Sequence, residues 1–318
     1  MGCCGKSGGN VSTRGRSRVI DVKAKKNQLA LFKTLSAKIS IPPTILMCPP
    51  DYYGIEYSIN PWMDVKDKVD RKLAQKQWEA LHNKIIELGA KIELIKPQKN
   101  LPDMVFTANA GLVFNKKVIL SRFKHPERQG EEKFFEEWFL DHGYEVLFPE
   151  NYFEGAGDCL LSKANTPRFF CGYGFRSDEK IIKFLEDSFS NSYEEFVLNK
   201  HKLINSYFYH IDTCFCPLTC SLWGDGFLSC PAMAYPGAFE PESFKRMRED
   251  FLQFIEVDED EAKLFACNAV SILKNIILPE GCEKTAKKLE EIGFNSHFVP
   301  MSEFIKAGGA CKCLTLEV

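Results

Sequence analysis

Residues 129–149, QGEEKFFEEWFLDHGYEVLFP, contain a helix pattern, a glycine and a strand pattern in succession. The aromatic side chains between Phe134 and Phe139 recur at helical spacing, which predicts one buried helix face. Gly143 then ends the helix, because glycine accepts the left-handed backbone found there. The five residues that follow are typical of a strand, which Pro149 closes. This stretch predicts an α-helix packed against the strand that comes after it.

The same helix-then-strand pattern occurs five times, at intervals of roughly fifty residues, a spacing typical of repeat and propeller architectures. Short strands outnumber the helices, which argues against a simple alternating parallel sheet. We therefore predict a mixed α/β fold whose units close into a ring, with an ordinary three-layer α/β domain as the alternative. The five segments lie within residues 67–95, 129–149, 177–210, 241–270 and 283–300.

The composition is that of a globular chain outside a membrane. Of 318 residues, 45% are hydrophobic and 26% charged, which is typical of soluble domains. Neither a bilayer-spanning apolar run nor a signal peptide is evident. Thirteen cysteines, an odd number without a secretory segment, predict reduced thiols in the cytoplasm.

The first residues differ in charge from the rest of the chain. Residues 1–44 carry nine basic groups and one acidic group, a net charge of +8, which leaves −10 for the remainder because the whole chain carries −2. We expect residues 1–40 to form a disordered basic tail and residues 41–318 to form the catalytic domain. The tail has no interleaved aromatic residues, so we expect no specific nucleic-acid binding.

The N-terminal residues Gly2, Cys3 and Cys4 resemble a myristoyl and palmitoyl attachment site. The usual pattern has Ser or Thr at position 6, where this chain has Lys6. Two lipids with a basic patch would hold a protein on an anionic membrane. Two interpretations stay open: a cytoplasmic protein with a plain tail, and one anchored through this tail.

A candidate nucleophile lies in residues 308–315, GGACKCLT. A cysteine attacks as the thiolate, so Cys313 would need a lowered pKa or a neighbouring base. Its glycine neighbours allow close backbone approach to a ligand. Cys311 is equally eligible by this reasoning, because side chains two apart on a strand share a face. Most cysteines in a chain so rich in them are small buried apolar residues.

Two further motifs carry a histidine and carboxylates. We interpret His210 and Asp212 as neighbours on one face of an apolar strand, where they form either a buried hydrogen bond or a proton-transfer and cation-binding pair. Glu154 and Asp158 flank two glycines in a tight turn. The cysteines between positions 214 and 220 lack a second matching pair, and no nucleotide-binding loop is present. We therefore predict no metal and no cofactor.

Taken together, these segments resemble the amidinotransferase or guanidine-modifying (pentein) superfamily over residues 43–318. The resemblance implies a five-bladed αβ propeller of ββαβ repeats. Residues 102–110, which include Asp103, look like the first substrate-binding segment of that superfamily. Residues 154–158 and the His210-Ile211-Asp212 motif follow in order, and the terminal loop places the nucleophile at Cys313.

Within the superfamily the chain most resembles arginine dihydrolases. Residues 48–63, which contain Asn60, look like the start of that subfamily. Asn109 stands where deiminases and dimethylarginine hydrolases carry Asp, and Arg128 stands where a carboxylate-binding arginine is expected. The basic tail departs from the family pattern, and so does the lack of an ornithine-processing domain, so we expect no second fused activity.

The resemblance implies a covalent mechanism on free L-arginine. Asp212, with help from Glu154, would pair with the guanidinium group, while Arg128 and Asn60 hold the α-carboxylate and α-amine. Cys313 would attack the guanidinium carbon. His210, oriented by Glu154, would protonate the leaving ammonia and activate water. The products would be ornithine, two ammonia and CO2.

Three alternatives stay open at this point. The enzyme could stop at citrulline as a deiminase, since Asn109 matters only if its amide retains the neutral ureido group for a second round. It could pass the amidino group to an amine as an amidinotransferase. The chain could also be a membrane-tethered protein with an inactive domain. A homo-oligomer is compatible with all three.

Overall fold

The computed structural model describes residues 41–162, 166–219, 221–222 and 228–318. The predicted tail at residues 1–40 and its lipidation candidates Gly2, Cys3 and Cys4 lie outside the described residues. Within the described part, no helix is both long enough and apolar enough to cross a membrane.

Strands outnumber α-helices in the described part of the chain. Its α-helices are α1 (Arg71–Glu87), α2 (Pro126–Gln129), α3 (Glu132–Asp141), α4 (Ile181–Ser190), α5 (Pro241–Glu249), α6 (Glu259–Ala262), α7 (Glu283–Glu291) and α8 (Ser302–Ile305). Its strands are β1 (Thr44–Met47), β2 (Lys91–Leu94), β3 (Gly111–Phe114), β4 (Lys117–Leu120), β5 (Glu145–Leu147), β6 (Cys159–Ser162), β7 (Arg168–Tyr173), β8 (Val197–Lys202), β9 (Phe215–Pro217), β10 (Ser221–Leu222), β11 (Leu228–Ser229), β12 (Ala232–Ala234), β13 (Phe254–Glu256), β14 (Val270–Ile272), β15 (Asn275–Pro279), β16 (Asn295–Val299) and β17 (Leu316–Glu317).

The described residues form five three-stranded sheets that share one design. In each sheet the first two strands are antiparallel and the third runs parallel to the middle strand. A helix crosses between the two parallel strands, as a parallel pair requires. The sheet orders are β17-β1-β2, β3-β4-β5, β6-β7-β8, β9-β12-β13 and β14-β15-β16, with crossing helices α1, α3, α4, α5 and α7.

The last strand of the chain completes the first sheet. In β17, Leu316 pairs with Leu46 and Glu317 pairs with Ile45 of β1. The Val318 N–H extends this seam by donating to the Thr44 carbonyl at 2.9 Å. The chain is therefore closed by hydrogen bonds between segments about 270 positions apart in sequence.

Glycines end three of the five crossing helices, as the sequence predicts. Gly89, Gly143 and Gly293 have φ angles of 90°, 74° and 85°, a backbone region that favours glycine because it has no Cβ. The three predicted helix–glycine–strand segments are thereby confirmed. Each helix buries one face against its sheet: in α1, for example, Leu81 and Ile85 are fully buried, and each such side chain contributes about 1.5–3 kcal/mol to folding.

Two predicted strands are wrong. Residues 203–210 follow β8 instead of forming it, and they contain a 3-10 turn at Ser206–Phe208. Of the predicted strand at residues 264–270, residues 264–269 form a loop in which Phe265 has a φ of 65° and Val270 begins β14, so the strand after α5 is β13 instead. Both runs are apolar because they are buried, and a short apolar run alone does not distinguish a strand from other buried backbone.

Candidate active site

The candidate residues occupy equivalent places in the five units. Four of them lie one to three positions before the first strand of their sheets: Asn109 before β3, Asp158 before β6, Asp212 before β9 and Cys313 before β17. Asn268 occupies this position in the fifth unit, before β14. The repeated ββαβ design therefore brings chemically different side chains from distant segments to one place.

The Cys313 thiol lies between an amide and a carboxylate. Its Sγ accepts a hydrogen bond from Nδ2 of Asn268 at 3.1 Å and lies 3.4 Å from Oδ2 of Asp212. Burial and the Asp212 carboxylate raise the pKa of the Cys313 thiol well above its usual range. The sulfur is therefore protonated until a positive charge beside Asp212 stabilises the thiolate.

Asp212 has a buried oxygen that no described residue satisfies. The side chain is fully buried, and its Oδ1 has no hydrogen-bond partner among the residues the structure describes. Burial raises the pKa of the Asp212 carboxyl to about 7. A buried acceptor without a donor is costly, so this carboxylate is suited to receive a donor from a ligand, above all a cationic one.

His210 and Asp212 do not share a strand face, contrary to the sequence prediction. A 3-10 turn at Ile211–Thr213 separates them, so Asp212 contacts Cys313 while His210 contacts Glu154. His210 Nε2 lies 2.7 Å from Glu154 Oε2, and the His210 side chain lines the pocket beside Cys313. With Nε2 held by the carboxylate, Nδ1 is the ring nitrogen available for proton transfer.

Glu154 remains ionised because two donors share one of its oxygens. Nη1 of Arg176 donates to Oε2 at 3.0 Å, and the His210 ring bonds the same atom. Burial alone would raise the pKa of Glu154, but the Arg176 guanidinium and the His210 hydrogen bond outweigh it and hold the pKa well below its usual range. The oxygen predicted to help bind substrate is thus already engaged within the protein.

Asp158 connects the segment that carries Glu154 to the segment that carries His210. Ser177 Oγ donates to Asp158 Oδ2 at 2.6 Å and accepts the Glu154 N–H at 3.0 Å. The Ile211 N–H donates to Asp158 Oδ1 at 3.4 Å. Burial raises the pKa of Asp158 to about 6. These contacts fix where Glu154 and His210 lie relative to each other.

Arg128 is part of a buried polar network instead of being a free clamp. Its guanidinium donates to both carboxylate oxygens of Glu131, to the Asp103 carbonyl and, through Nη1, to Asn109 Oδ1 at 2.8 Å. Four of the five N–H groups of an arginine are thereby used. One N–H on Nη1 remains for a ligand. Asn109 Nδ2 donates to the Glu154 carbonyl, so the network also fixes the orientation of the Asn109 amide.

Asp103 and Asn60 both line the pocket but differ in what they offer. The Asp103 carboxylate is buried, its Oδ1 has no hydrogen-bond partner among the described residues, and burial raises its pKa against the effect of Arg128. The Asn60 amide, in contrast, donates to the Tyr209 hydroxyl and the Ala307 carbonyl and accepts two N–H groups of its own loop. Asn60 therefore orders the wall of the pocket.

One narrow pocket joins these groups. Glu154 and Asp212 are outside the residues that line it, and so is Cys311, which is fully buried. No group of described residues has the composition and spacing of a metal site. The pocket is lined by Ile59, Asn60, Met63, Asp103, Phe106, Asn109, Arg128, Arg176, Tyr209, His210, Ala307, Gly308 and Cys313.

Three functional candidates were missed by the sequence reasoning. Arg176 lies in a loop after β7, donates to the Ile59 carbonyl and stacks 4.6 Å over the Tyr209 ring. No motif marks Arg176 or Tyr209, although Tyr209 directly precedes His210. Asn268 was detectable in principle, because it stands before the first strand of the fifth unit as the other candidates do in theirs.

A ring of five ββαβ units with a central polar pocket defines the pentein fold, and a buried Cys, His and carboxylate set places the chain among guanidine-modifying proteins. The profile of the eukaryotic N,N dimethylarginine dimethylhydrolase family matches residues 56–318. The chain belongs to this family. The predicted superfamily and fold are confirmed.

Known relatives include both arginine and dimethylarginine hydrolases. The chain is 44% identical over 283 residues to the bifunctional arginine dihydrolase/ornithine cyclodeaminase ArgZ of Synechocystis sp., covering 86% of this chain but 37% of that protein. It is 35% identical over 272 residues to the N(G),N(G)-dimethylarginine dimethylaminohydrolase of Mycobacterium tuberculosis, covering 86% and 84%. The predicted class, a hydrolase of C–N bonds in linear amidines, is confirmed by these relatives.

A solved structure shows the same fold. The N-terminal domain of the cyanobacterial arginine dihydrolase ArgZ, bound to product, superposes with a TM-score of 0.78 at 42% identity, and the match covers 87% of this chain and 97% of that domain. The chain thus spans a little over a third of the bifunctional relative and nearly all of its N-terminal domain.

Proposed function

We propose that this protein is an arginine dihydrolase that converts free L-arginine to ornithine, two ammonia and CO2. The observation that carries the proposal is the Asp212 carboxylate, whose Oδ2 lies 3.4 Å from the Cys313 sulfur and whose Oδ1 has no hydrogen-bond partner among the described residues. A guanidinium group that donates to this carboxylate has its central carbon within reach of Sγ. The similarity to ArgZ supports arginine as the source of that group.

Substrate binding and thiol activation are coupled in this proposal. The guanidinium charge offsets the two factors that raise the pKa of Cys313, namely burial and the Asp212 carboxylate. The α-amine is placed at Asp103, whose Oδ1 has no described donor. The α-carboxylate is placed at the remaining Arg128 N–H and at Arg176, which both line the pocket.

His210 then carries the protons. Sγ of Cys313 attacks the guanidinium carbon, and the imidazolium of His210 donates a proton to the departing ammonia. The neutral imidazole next removes a proton from water, which attacks the thiouronium carbon and releases the thiolate and citrulline. Glu154 stabilises the charged imidazole at 2.7 Å, and Arg176 keeps that carboxylate ionised.

Asn109 is the residue proposed to allow the second hydrolysis. Citrulline carries a neutral ureido group, which needs both a donor and an acceptor, and an amide offers both. Arg128 uses one of the two acceptor positions of the Asn109 oxygen, and the Glu154 carbonyl accepts one of the two Nδ2 hydrogens, so one acceptor and one donor position remain for the substrate. Retained citrulline would lose its second nitrogen as ammonia and the carbon as CO2.

Counting ammonia per arginine decides between a dihydrolase and a deiminase. Isotope-labelled arginine should give two ammonia and ornithine with the wild type, and nothing with Cys313→Ser. Cys311→Ser serves as the matched control, because Cys311 lies two positions away but does not line the pocket. One ammonia and accumulated citrulline would contradict the dihydrolase proposal, and equal loss in the Cys311 variant would contradict the nucleophile assignment.

Dimethylarginine hydrolysis is the second candidate, favoured by the family match and the M. tuberculosis relative. It would release dimethylamine and citrulline, so the amine product separates it from arginine hydrolysis. An amidinotransferase would instead form a guanidino product from added glycine or lysine. Absence of every such product with a folded protein would favour the inactive-domain alternative.

The proposed cellular form is a cytoplasmic protein in which a basic tail, residues 1–40, precedes a catalytic domain, residues 41–318. Attachment to a membrane through Gly2, Cys3 and Cys4 is a hypothesis based on the tail sequence alone. Gly2→Ala should move the protein off membranes if the tail is myristoylated, because the glycine amine is the acceptor. An unchanged location would remove the lipid-anchor hypothesis. Size measurement in solution would test for a homo-oligomer.

A further inference from the structure

Asn268 is the contribution of the fifth unit to the site. The other four units place Asn109, the Glu154 segment, the His210 segment and Cys313 just before their first strands, and Asn268 precedes β14 in the same way. The side chain is fully buried. It does not line the pocket, so its role is defined by the protein groups that it contacts.

All four hydrogen-bonding positions of the Asn268 amide are used. Oδ1 accepts the N–H groups of Ala310 at 3.0 Å and Cys313 at 3.1 Å. Nδ2 donates to the Asp212 carbonyl at 2.9 Å and to Cys313 Sγ at 3.1 Å. The orientation of the amide is unambiguous, because backbone N–H groups only donate and a carbonyl only accepts. An N–H donor therefore points at the sulfur.

This donor discriminates between the two states of the thiol. A hydrogen bond to an ionised acceptor is roughly twice as strong as one to a neutral acceptor. We propose that Asn268 is a catalytic residue whose Nδ2–H stabilises the Cys313 thiolate, a role that rests on the proposed function only in taking Cys313 as the nucleophile. The Asp212 carboxylate, 3.4 Å from the sulfur, opposes the thiolate. The Asn268 N–H, which donates to the sulfur at 3.1 Å, favours it.

Other charged groups near the sulfur do not replace this donor. Lys312 directly precedes Cys313 in the loop, but its Nζ donates to the Thr315 carbonyl. The remaining titratable and charged groups around Cys313 are Asp212, Tyr209, His210, Asp103, Arg128 and Arg176. Among the hydrogen bonds of the described residues, Asn268 Nδ2 is the side-chain donor to Sγ.

The test measures alkylation of Cys313 by iodoacetamide between pH 7 and pH 9. Trypsin cleaves after Lys312, so Cys311 and Cys313 fall on different peptides and mass spectrometry reads each separately. Asn268→Ala should slow alkylation of Cys313 by about 10- to 100-fold at each pH, since a hydrogen bond to a charged group is worth roughly one to two pKa units. Thr315→Val, which removes loop hydrogen bonds that do not involve Sγ, should change the rate less than about threefold.

Arginine binding to an inactive variant distinguishes a catalytic role of Asn268 from a purely structural one. In a Cys313→Ser background, adding Asn268→Ala should leave the arginine Kd within about twofold, because binding does not need the thiolate. An unchanged alkylation rate, or an arginine Kd that weakens in parallel with it, overturns the proposal. Should Asn268→Ala fail to fold, Asn268→Asp keeps the two Oδ1 contacts and carries the same measurements. If wild type turns over neither arginine nor dimethylarginine, the proposed function fails while alkylation still tests Asn268.

Discussion

Replacing Asp212 with asparagine should remove a loss of stability that the wild type shows between pH 5 and pH 7, while abolishing turnover. Asp212 is fully buried next to Cys313, and its Oδ1 has no donor among the described residues. The carboxylate is therefore poorly solvated until a cation binds. The amide introduced by Asp212→Asn cannot ionise, so the variant avoids the cost of a buried charge, while losing the partner of the guanidinium group.

The magnitude follows from the difference between the folded and unfolded pKa of Asp212. Burial raises this pKa from its usual value of 3.8 to about 7. A group with a raised folded pKa contributes stability at low pH and loses it as the pH rises toward that pKa. Between pH 5 and pH 7 the unfolded carboxyl is ionised while the folded one is protonated. The wild type should therefore lose about 2–3 kcal/mol relative to Asp212→Asn over these two pH units, at about 1.36 kcal/mol per unit.

Urea unfolding at pH 5, 6, 7 and 8 measures this difference. Guanidinium chloride is unsuitable, because its cation resembles the group proposed to bind Asp212. The introduced amide nitrogen has no acceptor at the Oδ1 position and lowers stability by about 1–3 kcal/mol at every pH, so the slope with pH carries the test. The pKa of Asp158, which burial and the neighbouring Glu154 and Asp212 carboxylates raise to about 6, should be lower in Asp212→Asn, so Asp158 also contributes to the difference.

Parallel stability curves for the two proteins would refute this reasoning. They would mean that Asp212 ionises in the folded protein as easily as in the unfolded chain, and that some donor satisfies its Oδ1. Added arginine provides the matched control. It should stabilise the wild type at pH 8 and have no effect on Asp212→Asn, because only an ionised partner holds the guanidinium.

Three further outcomes can be checked by kinetics and thermal unfolding. Gly157→Ala places a methyl group against Asn109 Nδ2, so kcat/KM should fall at least about tenfold and stability by about 1–3 kcal/mol; unchanged kinetics would show that the amide tolerates displacement. The lysine introduced by Arg176→Lys cannot reach both Glu154 and the Ile59 carbonyl, so kcat/KM should fall by about 10- to 100-fold. A variant with the kcat/KM of the wild type would contradict this prediction. Cys311→Ala should keep kcat within about twofold with stability lowered by about 1 kcal/mol, whereas an inactive, folded variant would show that the wrong thiol has been assigned.

The sequence was sufficient for the repeated design of the fold. Gly89, Gly143 and Gly293 mark helix ends through a local backbone requirement that only glycine meets easily, so their effect is readable without tertiary information. Glu154, His210 and Cys313 were recognisable because each lies in a motif with small or apolar neighbours. These features depend on residues close together in the chain.

The remaining features depend on packing between distant segments. The sequence around the turn after His210 resembles a strand because its residues are buried on every side. Burial there shows no helical or strand periodicity that would reveal the turn. Arg176 stands in no motif, and only the folded loop brings it to Glu154. Arg128 was identified as a carboxylate-binding residue, but Glu131, three positions later, already pairs with it. Such competition between partners is invisible until both side chains have positions.

The short seam between β1 and β17 has a consequence for how the protein loses activity on heating. Two residue pairs and one backbone N–H close the ring there, and Cys313 stands three positions before the closing strand. Fraying of these few bonds would carry the sulfur out of register with His210 while the outer helices stay intact. On heating, turnover should therefore be lost several degrees below the temperature at which circular dichroism records a loss of helix. Cooling from this temperature range should restore turnover.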